Sequence, residues 1–147
     1  MLMQSNGMML ISMFISMFII QYVFMSYVMT NTPTNITNSI GKIYMSTIMG
    51  LFMVVASVLM YHKLNIKQFL LFSSLLIGCI YLYKIQYGID DKEYLKEMVE
   101  HHSMALLTSN AILQKTKDND VFNLARRIVQ SQGKEINEMQ SLINRKK

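Results

Sequence analysis

The sequence predicts an all-α protein: three transmembrane helices followed by a C-terminal antiparallel helical hairpin that pairs into a four-helix bundle. Three observations predict it. Of 147 residues, 52% are hydrophobic and only 16% charged, against ~25% charged in soluble domains. All 9 acidic residues lie between Asp90 and Glu138. Near Gly88 the pattern changes from long uncharged runs to apolar residues at helical spacing. The chain therefore divides into a membrane region, residues 1–87, and a helical hairpin, residues 88–147.

The first span is expected near residues 8–29, a stretch with no charge, since about 20 apolar residues cross a bilayer. A cleaved signal peptide would want a basic start and a small-residue cleavage site. MLMQSNG has no Lys or Arg and no such site follows, so an uncleaved span is expected. TNTPTNITNSIG, residues 30–41, holds the only Pro and reads as a polar loop. Its Asn35-Ile36-Thr37 is a glycosylation sequon, of consequence where the loop reaches a eukaryotic lumen.

A second span is expected near 43–61, then a short turn, HKLNIKQ, and a third span near 69–84. The third run is short. Lys67 and Lys84 flank it and can reach the headgroups; the competing reading is a helix buried against the other two. Tyr61, Tyr81, Tyr83 and Tyr87 sit where an aromatic belt belongs.

Basic residues near span ends favour the cytoplasmic side. Lys63 and Lys67 in the turn outweigh Lys42 in the polar loop, with Lys84 opposing. The expectation is a multi-pass integral membrane protein with its N-terminus inside and its hairpin extracytoplasmic. The net charge of +5 arises mostly from the membrane flanks; nucleic-acid binding would need Lys and Arg clustered on one face, so no nucleic acid partner is expected.

Twelve of the 15 Met precede residue 61. Met9, Met13 and Met17, and again Met45, Met49 and Met53, form stripes at i, i+4, i+8. Thioethers suit Cu(I), but Met is also an adaptable filler of apolar interfaces. Cys79 lies in an apolar run without a basic neighbour, and one Cys permits no internal disulfide.

From Asp90 the apolar residues Leu95, Met98, Val99, Ala105, Leu106 and Leu113, with His102 among them, recur at spacings of three and four. Asp90 and Asp91 provide an N-cap and a negative first turn. KTKDND reads as a loop, with Asn119 or Asp120 capping a second helix. That helix carries Val121, Leu124, Ala125, Ile128, Gln132, Ile136, Met139 and Ile143 on one stripe. A lone hairpin cannot bury both stripes well, so a homodimer or higher oligomer through the hairpin is expected.

The first of these helices places His101 and His102 side by side, with Met98 and Ala105 on the same side and Met104 close by. The second offers Glu135 and Met139 at i, i+4. Imidazole and thioether together suit a soft or borderline metal: Cu(I), Ag(I), or Cu(II) and Zn(II). The competing reading is a pair of hydrogen-bonded interface histidines. A di-iron carboxylate site would need Glu-x-x-His on two helices; Glu97 is followed by Glu100 and Glu135 by Glu138. No Ser-His-Asp set or phosphate loop is legible, and no enzymatic activity is expected.

IDDKEYLKEMVEHHSMALLTSNA, followed by LARRIVQSQGKEINEMQSLI, resembles the family called domain of unknown function 305. Its hallmarks are a Met-Ile-Pro-His-His segment and a later Glu-Ile-x-x-Met segment, matched by Met98, His101, His102, Glu135, Ile136 and Met139. The resemblance is closest to a branch of small bacterial membrane proteins with about three spans, over roughly residues 89–143. Glu100 stands where the family has Pro and Val99 where it has Ile; that carboxylate could ligate a metal or be solvated.

The resemblance implies a ferritin-like bundle, extracytoplasmic and linked to copper binding and copper tolerance. The expected function is a membrane-anchored protein that binds copper or silver through Met98, His101, His102 and Met139, with Met104 and Glu135 as further candidates. A copper ion is the expected cofactor and the lipid bilayer a partner. The alternative is a structural or assembly membrane protein whose hairpin only mediates self-association.

Overall fold

In the computed structural model, residues 2–60 and 65–146 are described, with side chains from Gly7 onward. Helix α1 runs Leu2–Ile19, continues through a π-helical stretch Ile20–Met25 and closes with Ser26–Met29. A single 3₁₀ turn, Pro33–Asn35, interrupts the following loop. Then come α2 (Ile40–Met60), α3 (Ile66–Lys84), α4 (Asp91–Leu113) and α5 (Asn119–Arg145). Among the described residues there is no strand.

Three stretches are long and apolar enough to cross a membrane: Gly7–Met29, Ile40–Met60 and Ile66–Lys84. The third is longer than the apolar run alone suggests. Asn65 caps it, its Oδ1 accepting from the N–H groups of Lys67 and Gln68, so the helix starts at Ile66. Tyr61 of the expected belt, and His62 and Lys63 of the expected turn, lie outside the described residues.

The chain forms two compact units. The first comprises Met1–Phe24 and Gly41–Gly88. Here α2 is the central helix, with 39% of its apolar window buried against 6% for each of the other two. Leu10, Val54 and Val58 join it to α1, and Ile48, Leu51 and Leu76 join it to α3. Gly50 permits the close crossing: a Cβ there would lie 2.7 Å from the Phe14 ring and 3.2 Å from the Phe14 carbonyl oxygen. Ile11, Ile15, Leu70, Leu71 and Ile77 face outward, which is compatible with lipid.

The second unit comprises Met25–Ile40 and Ile89–Lys147. The polar loop thus groups with the hairpin. Asp90 caps α4, accepting from the Glu93 N–H at 2.8 Å. The cap of α5 is Asp118, before both of the positions expected from sequence, Asn119 and Asp120. Its Oδ1 accepts from the N–H groups of Asp120 and Val121, leaving Asn119 as the first helical residue. The core consists of Leu95, Val99, Ile136 and Met139, flanked by Met98, Leu106, Leu142 and Ile143.

Candidate metal centre

Two side-chain contacts, one of them a salt bridge, mark the antiparallel register of α4 against α5. Asp91 meets Lys146, and His102 meets Glu135. Asp91 to His102 and Lys146 back to Glu135 are each eleven residues, so the helices run side by side without slippage for about three turns. One turn below the His102–Glu135 pair, Met98 and Met139 pack into the same core. Sequence spacing and tertiary register therefore bring Met98, His102, Glu135 and Met139 to one seam.

His102 is half-buried, its side chain 22% exposed. Its Nδ1 lies 3.2 Å from Glu135 Oε2 but is not aligned with it as a hydrogen bond, and is buried without a hydrogen-bond partner. Distance alone gives a pair, whereas the geometry leaves the nitrogen unsatisfied. A buried polar atom in that state calls for an explanation, such as an ion or water. A carboxylate beside one imidazole nitrogen is also how metal-ligating histidines are commonly oriented.

The other two candidates stand apart. His101 is exposed, because a one-residue step rotates a side chain by about 100° away from the seam. Met104 is half-buried, but two residues beyond His102 it lies on another side of α4. Among the described residues, no group of three or more His, Cys, Asp and Glu side chains could hold a metal. The seam instead combines the thioethers of Met98 and Met139 with the His102 imidazole and the Glu135 carboxylate. In the membrane region, Met13 Sδ accepts from Ser57 Oγ at 3.1 Å, while Met45 and Met53 are exposed.

Glu100 neither joins the seam nor stands free in solvent. It accepts hydrogen bonds from Ser26 Oγ at 3.2 Å and from the Thr37 N–H. Glu93 accepts from the Ile40 N–H at 2.7 Å and pairs with Lys96 at 2.6 Å. Ser103, fully buried, accepts from the Asn31 N–H at 2.9 Å and from Asn35 Nδ2 at 3.2 Å. Asn35 Oδ1 accepts from Gln140 Nε2 at 3.0 Å. The sequon asparagine is thus buried and bonded through both ends of its amide. Sequence reading missed this set, although a polar loop rich in Asn and Thr, facing small buried serines on a helix, is its signal.

Known proteins resemble this chain. A family model described as domain of unknown function (DUF305) matches residues 82–143. An uncharacterized protein of Acanthamoeba polyphaga mimivirus is 38% identical over 120 residues, spanning 75% of this chain and 79% of that protein. No solved structure matches.

Proposed function

The chain belongs to the domain of unknown function 305 family, and on that premise we propose that it is a membrane-anchored protein that binds copper or silver on its hairpin. The observation that supports this reading is the buried, unsatisfied Nδ1 of His102 on the seam where Met98 and Met139 pack. His102 supplies an imidazole nitrogen and the two methionines supply thioethers, a donor set that favours Cu(I). Glu135, whose carboxylate lies 3.2 Å from Nδ1, offsets the charge of the ion. The role is binding or buffering of the ion rather than catalysis. Proton competition for the imidazole makes binding weaken in acid.

All three apolar helices cross the bilayer, with the N-terminus inside and the hairpin extracytoplasmic. The basic bias of the second turn supports that orientation. An odd number of crossings also puts the loop after α1 and the hairpin on one side, in keeping with their membership of one compact unit. Val121, Phe122 and Leu124 are exposed at the start of α5. They favour a second hairpin packing there, in a ferritin-like four-helix arrangement.

The test is Cu(I) competition against a coloured chelator, with the full chain in detergent under reducing conditions, beside the double variant His101→Ala, His102→Ala. Tight binding that disappears in the variant is the expected result. No binding by the parent chain would leave a structural role for the hairpin.

A further inference from the structure

We propose that Asn35, in the loop between the first two apolar helices, is a positioning residue for the hairpin's metal site, an inference that rests on the metal-binding reading above. Its amide spans the two hairpin helices: Nδ2 donates to Ser103 on α4 at 3.2 Å, and Oδ1 accepts from Gln140 on α5 at 3.0 Å. Ser103 directly follows His102 and Gln140 directly follows Met139. The bridge therefore joins the helices at the level of the donors, on the adjacent face of each helix.

The bridge is built to hold. Asn35 is 7% exposed and Ser103 is 0% exposed. The Asn31 N–H also donates to Ser103, at 2.9 Å. Thr37 Oγ1 donates to the Lys96 carbonyl at 2.7 Å, and Glu100 accepts from the Thr37 N–H on the other side of Asn35. The loop is thus pinned before and after the bridging residue, so the amide cannot drift without several bonds breaking together. Behind it, Val99 and Ile136 fill the space between the helices.

The consequence is geometric. A site whose donors come from two helices binds an ion only when their separation matches the ion's bond lengths. An apolar core tolerates small sliding, whereas an amide bonded at both ends does not. Asn35 sets that separation from outside the seam and outside the residues that match the family model, 82–143.

The experiment uses the full chain in detergent and measures Cu(I) affinity by chelator competition for the parent, Asn35→Ala and Gln140→Ala. A core variant, Ile143→Val, serves as a control for lost stability without a lost bridge. Asn35→Ala and Gln140→Ala should each bind about 10–100-fold more weakly, the usual cost of removing a group that orients a metal ligand. The loss should exceed that of Ile143→Val when compared at equal loss of melting temperature. Cu(I) X-ray absorption should show fewer sulfur neighbours in Asn35→Ala than in the parent, because the α5 thioether no longer reaches.

Gln140→Ala keeps the Ser103 bond, so it reports even if Asn35→Ala fails to fold. Parent-like affinity in these variants, or a loss that merely tracks melting temperature with an unchanged sulfur count, would overturn the inference while leaving the metal reading intact. Absence of Cu(I) binding by the parent chain would overturn both.

Discussion

Adjacent residues on an α-helix point about 100° apart, and that rotation separates His101 from His102. The first is exposed, and the second enters the seam beside Glu135. That two histidines stand side by side was legible in sequence; which of them faces α5 was not, because the α4–α5 register depends on pairs such as Asp91–Lys146 that no local pattern reveals. Glu100 is a similar case. Its neighbour in sequence is the histidine pair, but its partners come from the end of α1 and the loop after it, Ser26 lying 74 and Thr37 63 positions before it. At the same scale, Gly50 is specified by the Phe14 ring and carbonyl that a Cβ would meet. Gly50→Ala should loosen the α1–α2 crossing, lowering stability by about 1–3 kcal/mol as overpacked sites do. Thermal unfolding in detergent reads this; a variant as stable as the parent would show that the ring swings aside freely.

The helices themselves were largely legible as elements. Their apolar runs and stripes follow from length and periodicity. Misplaced ends trace to single side chains: Asn65 starts α3 three residues ahead of its apolar run at Phe69–Tyr83, and Asp118 starts α5. The far end of the hairpin is tied by Asp91 and Lys146, and the bond and charge of Lys146 hold the Asp91 carboxyl below its ordinary value of 3.8. A lowered folded-state value means that the pair's contribution is present above pH 3.8 and fades as pH falls through the lowered value. Asp91→Asn should therefore remove part of the hairpin's acid sensitivity below pH 3.8, and added salt should shrink the difference because the pair is exposed. Amide hydrogen exchange at the ends of α4 and α5 tests this; equal pH dependence in the two proteins would show that the pair is idle.

For the whole molecule, the sequence suggests a membrane region followed by a soluble hairpin. The segment Met25–Ile40, the end of α1 with the loop after it, instead belongs with the hairpin, docked through Ser26, Asn31, Asn35, Thr37 and Ile40. Its polar composition reads as solvent-facing because hydrogen bonds to a distant helix leave no periodic trace. A chain cut at Gly88 loses that clasp. In the function proposed above, one histidine of the adjacent pair, with two thioethers, holds a soft metal. Cu(I) affinity of the full chain, measured for His102→Ala beside His101→Ala, tests it most directly. His102→Ala should lose tight binding while His101→Ala retains it. Equal losses, or a loss confined to His101→Ala, would contradict it.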